Sequence, residues 1–169
     1  GVTYEYFNVI SSDEEVSLNG TCIQPFLVSH DAKEPFGYIV NDNNKKMVYL
    51  TDSGYISQDN ENKIKDADIY IIETNHNIEL LMATNRPWAL IQRILGDKGH
   101  LCNEDALHTL LRVVGKNTKA IYLAHISEEA NNIDLLLLTV REIFAECIYN
   151  EKIKFIVAKQ YELSESVNV

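Results

Sequence analysis

Residues 49–57 read YLTDSGYIS: an apolar run closes on Asp52, and a small hydroxyl residue and a glycine follow that let the chain turn sharply. A carboxylate at the mouth of a buried strand is costly unless something receives it. A metal ion, a helix N-terminus and a plain turn are the three candidates. Taken alone, Asp52 reads as a turn former whose carboxylate meets nearby backbone N–H groups.

Outward from this stretch, short β-type runs recur: TCIQPFLV (21–28), FGYIV (36–40), KMVYLT (46–51), DIYIIET (68–74), KAIYLAH (119–125) and KIKFIVAK (152–159). The polar NDNNKK between the second and third has the composition of a hairpin turn. Later runs are separated by helical patterns. RPWALIQRILG starts just inside a proline and stops at Gly96, NEDALHTLLRVVG carries an Asn cap and a terminal glycine, and NNIDLLLLTVREIFAEC is densely apolar. Hairpin-like strands followed by strand, helix, helix, strand, helix, strand imply an α/β fold, a mixed sheet with helices packed on one face. Residues 1–169 are long enough for one domain with a real core and too short for two ordinary ones. Residues 1–20 and 164–169 are expected to be irregular, the tail frayed.

With 46% hydrophobic residues, the chain has no apolar run near the ~18 residues that a membrane span requires. Its opening GVTYEYFNVI has neither the basic nor the apolar region of a secretory signal, so a soluble cytoplasmic protein with no membrane partner is expected. Cys22, Cys102 and Cys147 are odd in number, widely separated and without CxxC spacing, as reduced thiols would be. The formal net charge of −10 opposes binding to nucleic acid through generic basic patches. A polyanionic substrate would need local help, which divalent cations in an acidic, His-bearing pocket supply.

Polar clusters sit directly after apolar strands, where an α/β sheet usually places its ligand. They are VSHDAKEP with His30 and Asp31, LTDSG with Asp52, ETNH with Glu73, Asn75 and His76, and LAHIS with His125; KGHLCNED adds His100 just before a helix. Each histidine alone reads as an ordinary loop or core residue. Together, imidazole and carboxylate at several strand ends suit zinc, manganese or iron. Trp88 reads as a core or interface anchor of its helix, and Arg86, Arg93 and Lys98 as an exposed helix face.

VSHDAKEPFGYIV, MVYLTDSGYIS, ADIYIIETNHNIELL, RILGDKGHLCNEDAL and IYLAHISEEANN together resemble, in order and spacing, the latter part of the WalJ/YycJ/VicX branch of the metallo-β-lactamase superfamily, over about Thr21 to Asn132. The resemblance implies the latter half of an αββα sandwich. It also implies a dinuclear zinc or manganese centre drawing on a His-x-His-x-Asp-His motif, a later His, a bridging Asp and a final His. His30 would be the later His, Asp52 the bridging Asp and His125 the final His. His100 would assist proton transfer or grip the scissile phosphate, Glu73 would orient a histidine, and His76 and Asn75 would lie in the same motif on the substrate side.

No His-x-His-x-Asp-His occurs in the 169 residues. The expectation is therefore a fragment whose apolar sheet face self-associates or pairs with an N-terminal half. For the intact protein the resemblance implies a metal-dependent phosphodiesterase, a nuclease acting exonucleolytically on DNA through a metal-activated water. The alternatives are a catalytically incomplete half-domain serving as a structural or interaction module, and a small-molecule hydrolase on the same scaffold.

Overall fold

The computed structural model describes residues 10–12 and 14–169. Within them the apolar runs form one seven-stranded sheet whose spatial order follows the chain. The strands are β1 (Val16–Leu18), β2 (Thr21–Leu27), β3 (Phe36–Asp42), β4 (Lys45–Leu50), β5 (Ile69–Glu73), β6 (Ala120–Ala124) and β7 (Lys154–Val157). Pairings from β1 to β4 are antiparallel and those from β4 to β7 parallel. The switch follows from the connections: short turns and the loop 28–35 reverse the chain, whereas parallel neighbours need a helical crossover. At NDNNKK, Asn43 and Asn44 sit at φ 46° and 63°, the left-handed pair that a two-residue turn matching strand twist requires.

The crossovers are α1 (Gln58–Ile64), then α2 (Ile78–Met82), α3 (Trp88–Leu95) and α4 (Asn103–Val113), and finally α5 (Ile133–Phe144). Val48, Leu50, Tyr70, Ile72, Ile121 and Leu123 alternate onto one sheet face and share a buried cluster with Ile64, Leu107, Leu110, Leu136 and Phe144 of the helices. This is the expected mixed sheet with helices on one face. The residues between them in register, Met47, Tyr49, Ile69, Ile71 and Tyr122, face the other way and are only partly buried, with Tyr49 40% exposed.

Several local expectations change. β1 lies inside the stretch expected to be irregular, of which residues 1–9 and 13 fall outside the described residues. The cap of α4 is Cys102, whose Sγ accepts from the Asp105 N–H at 3.4 Å; Asn103 is the first helical residue and is buried. Gly96 ends α3 in an extended conformation and donates to the Arg93 carbonyl. Residues 158–169 carry no helix or strand, and within them Glu165 is held against the sheet. Tyr122 donates to the Glu165 carbonyl at 2.7 Å, and Lys154, on the same sheet face, pairs with the Glu165 carboxylate. Trp88 is 56% exposed, so it is no core anchor; the residues that α3 buries are Ile91 and Ile94.

Below the site, Tyr70 joins three elements. Its fully buried hydroxyl lies 2.8 Å from the Ile64 carbonyl and 2.9 Å from that of Val113, and accepts from the Ala67 N–H at 3.1 Å. Tyr70→Phe leaves the buried Ala67 N–H without its acceptor and removes the one hydroxyl proton shared by the two carbonyls, of which that of Val113 keeps the Asp66 N–H. A loss of about 1–3 kcal/mol in urea unfolding is expected, and an unchanged midpoint would contradict this role.

Candidate metal centre

The site forms at the carboxyl ends of the parallel strands. Leu50 ends β4, and two residues later Asp52 takes φ 55°. The sharp turn is thus made by the aspartate itself, in a left-handed conformation that Asp tolerates better than most side chains. Directly after β6, His125 does the same at φ 52°. A non-glycine residue held there is strained, and such strain collects at functional sites.

Three imidazoles converge on the Asp52 carboxylate. His30 Nε2 and His125 Nε2 each lie 3.8 Å from Asp52 Oδ1, and His100 Nδ1 lies 4.0 Å from it. The His100 ring stands between the others, with centroids 5.0 Å from His30 and 5.3 Å from His125. These separations exceed hydrogen-bond reach. They approach the spacing of donors around one ion, since zinc bonds of about 2.0–2.1 Å set tetrahedral neighbours roughly 3.4 Å apart.

Beneath them lies Glu73, with no exposed surface. Its Oε1 is 2.7 Å from His100 Nδ1 and 2.8 Å from His125 Nδ1, while Oε2 accepts from the Ser53 N–H at 3.0 Å. Burial by itself raises the Glu73 pKa, but the hydrogen bonds from His100, His125 and Ser53 outweigh it and hold the carboxyl below its ordinary range. The bond to Glu73 in turn raises the pKa of His125 against the opposing effect of burial, with the Asp52 charge adding to the rise. An ionised Glu73 makes Nδ1 the donor on both rings and leaves Nε2 of each free to ligate. His30 is oriented the same way, its Nδ1 donating to the Gly99 carbonyl at 3.0 Å.

Of the residues singled out in the sequence, the structure brings His30, Asp52, Glu73, His100 and His125 together. Asn75 lines the adjoining cavity of about 1430 Å³, where its amide donates to the His125 carbonyl at 2.9 Å. His76 is not brought to that cavity: it is 1% exposed, and among the described residues neither ring nitrogen has a hydrogen-bond partner. Burial lowers its pKa from 6.5 to about 4. Between those values the unfolded chain holds a proton that the folded chain does not. Stability is therefore intact above pH 6.5 and falls as pH drops toward 4, by about 3 kcal/mol. His76→Leu is expected to flatten that segment of a stability-versus-pH curve measured by urea unfolding, and an unaltered slope would refute the assignment.

Sequence reasoning missed the supports. Asn131 donates to the carbonyls of Thr74 and Asn75 and to Asn103 Oδ1, bracing the ends of β5 and α4. Arg93 pairs with Asp31, whose other oxygen lies 3.6 Å from His30 Nε2, and Arg86 pairs with Glu129 at 2.8 Å. Both arginines line the cavity, along with Lys159, so the expected exposed helix face is partly a cavity wall; Lys98 is not part of it. The only signal for Asn131 was its place in EEANN, just after the last histidine. Cys22, Cys102 and Cys147 form no disulfide, and among the described residues no helix is long and apolar enough to cross a membrane.

A mixed sheet with helices on one face, and histidines and carboxylates gathered at its strand ends, defines a class. Residues 4–126 match the family described as the beta-lactamase superfamily domain, and the chain belongs to that family. It is 41% identical over 124 residues to the exodeoxyribonuclease YycJ of Bacillus anthracis, covering 73% of this chain and 47% of the relative. It is 44% identical over 118 residues to the exodeoxyribonuclease WalJ of Streptococcus pneumoniae, covering 70% of this chain and 44% of the relative. The chain thus spans about half the length of the curated relatives it matches. Its fold is similar to that of the metallo-beta-lactamase fold protein YhfI from Bacillus subtilis, with a TM-score of 0.64, 16% identity, and coverage of 89% of this chain and 52% of that one.

Proposed function

We propose that this chain contributes the later ligands of a divalent-metal centre that hydrolyses phosphodiester bonds in DNA, acting exonucleolytically. The convergence of His30, Asp52 and His125, with Glu73 fixing the ring orientation, is the observation that carries the proposal. The donor set, two imidazole nitrogens and a carboxylate oxygen, suits zinc or manganese. When bound, two such ions supply a water that ionises near neutral pH and stabilise charge developing on phosphate.

The protein's own part is orientation. Glu73 holds His100 by Nδ1, leaving the other nitrogen to exchange a proton with the leaving group or to meet a phosphate oxygen. Asn75 acts through its hold on the His125 carbonyl, and its place in the cavity wall brings it beside a bound strand. Arg86, Arg93 and Lys159 line the same wall but are paired with Glu129, Asp31 and Glu162, so attraction of a phosphate would rest on the bound ions. The relatives' names favour DNA over a small-molecule substrate.

The remaining ligands would come from a His-x-His-x-Asp-His half, paired across the partly buried sheet face of Met47, Tyr49, Ile69 and Ile71. The same face supports a second reading, in which this stretch, a single domain over residues 1–169, is an interaction module without activity of its own. Free cysteines fit a cytoplasmic setting.

Metal content and hydrolysis of end-labelled DNA, measured with added Mn²⁺ or Zn²⁺, test both readings. The measurements compare this chain with a longer polypeptide that includes the His-x-His-x-Asp-His half. Mononucleotide release by the longer form alone is expected; its absence there sinks the nuclease reading. Turnover by this chain alone, lost in Asp52→Ala, sinks the module reading.

A further inference from the structure

The geometry points to Gly54 as a positioning residue, a backbone clasp that holds the three loops carrying His30, Asp52 and His100 in one arrangement. This rests on the reading of those residues as the ion site. Gly54 does not have a positive φ, so the turn after β4 does not explain its presence. Contact does. A Cβ on Gly54 would stand 2.4 Å from the Gly96 carbonyl oxygen, 2.6 Å from the Gly99 nitrogen and 2.7 Å from the Asp97 carbonyl carbon. Every one of these atoms is backbone, so no side-chain rotation relieves the overlap.

Hydrogen bonds extend the contact to all three loops. The Gly54 N–H donates to the Ser29 carbonyl at 2.9 Å, fixing the residue before His30. Gly99, packed against Gly54, offers its carbonyl to His30 Nδ1 at 3.0 Å. The Gly99 N–H closes on the Gly96 carbonyl at 2.7 Å, and the His100 N–H on that of Ile94 at 3.0 Å. On the other side, the Ser53 N–H is held by Glu73. Widening the Gly54–Gly99 gap therefore pulls the acceptor away from His30 and moves His100 relative to Asp52. Gly99 is equally constrained, since a Cβ there would lie 2.1 Å from the Ile94 carbonyl oxygen.

Gly54→Ala tests the clasp through two readouts. In the metal-free protein, long-range ¹H–¹⁵N spectra of the His30 ring are expected to show a single Nδ1–H tautomer in the wild type and tautomer averaging in the variant. Zn²⁺ affinity, measured against a chromophoric chelator, should fall about 10–100-fold, the range for losing a group that orients a ligand. Gly115→Ala is the control for a merely structural effect: its Cβ would lie 2.1 Å from Asp66 Oδ1, at the other end of the parallel strands. It should lose stability and keep both the tautomer and the affinity.

An unchanged His30 spectrum in folded Gly54→Ala overturns the inference. A wild type that takes up no metal overturns the metal reading alone, because the ring spectrum still decides the role of Gly54. Should Gly54→Ala fail to fold, amide hydrogen exchange of the wild type decides. Gly54, Gly99 and His100 opening with one common free energy support a clasp, and independent openings refute it.

Discussion

Asp52→Ala, introduced into a longer polypeptide with both halves of the site, is expected to abolish tight divalent-ion binding and with it DNA hydrolysis. Asp52 Oδ1 is the one atom that His30, His100 and His125 all face, at 3.8–4.0 Å. Removing it takes away the carboxylate that the three imidazoles share, and the nearby Asp31, 3.6 Å from His30 Nε2, is already engaged by Arg93. Losing a group that merely orients a ligand typically costs about 10–100-fold in metal affinity, so loss of the ligand itself should exceed about 100-fold. Isothermal titration with Mn²⁺ and a gel assay on labelled DNA provide the check, with circular dichroism confirming the fold. The side chain is 48% exposed, so little stability should be lost. A variant that binds ions as the wild type does would remove Asp52 from the site.

Glu73→Gln has a different signature, acting on stability and site together. The buried carboxylate receives donors from His100, His125 and Ser53. An amide offers one oxygen and presents N–H groups to the remaining donors. Breaking such a buried, charge-assisted cluster is expected to cost about 3 kcal/mol and to lower Zn²⁺ affinity about 10–100-fold.

The pH dependence of the metal-free protein separates the partners. The folded pKa of Glu73 is depressed, so its contribution is present above the unfolded value of 4.5 and disappears as pH falls through the folded value. The folded pKa of His125 is raised, so its contribution is complete below 6.5 and disappears as pH rises through the folded value. The pair therefore stabilises the fold most between about pH 4.5 and 6.5. Glu73→Gln should flatten that maximum in urea-unfolding measurements, and a wild-type-like profile would show that the carboxylate is not ionised.

How much the sequence disclosed depended on how each segment is stabilised. β4, β5 and β6 were legible because a strand buried on one face by helices is apolar throughout its core positions, as in Val48, Tyr70 and Ile121. α1 was not: QDNENKI buries only Glu61 and Ile64, the former against Arg112 at 2.6 Å, so an ion pair replaces the apolar stripe that periodicity detects. α2, at five residues, and β1, at three, are too short for a pattern. The site histidines were visible from their places after strands, but Glu73 as shared acceptor of two rings is a product of strand register. Glu73 pairs with Ala124, and that pairing places its carboxylate beneath His125. The turn after β4 has two parts that the sequence did not separate. Asp52 takes the left-handed conformation and Gly54 the close approach, two different uses of residues that composition alone treats alike.

The order of strands in the sheet carries a consequence for synthesis. Each strand from β1 to β7 lies beside its predecessor in the chain, so a ribosome can lay the sheet down edge by edge without any strand inserting between two already placed. Of the five clustered residues, His30 and Asp52 precede Glu73 and His100 in the chain. Glu73 gains its second imidazole donor only when β6 docks on β5 and delivers His125. A nascent chain stalled before that point lacks the His125 ring, so the cluster around Glu73 and Asp52 is assembled only once the sixth strand is in place.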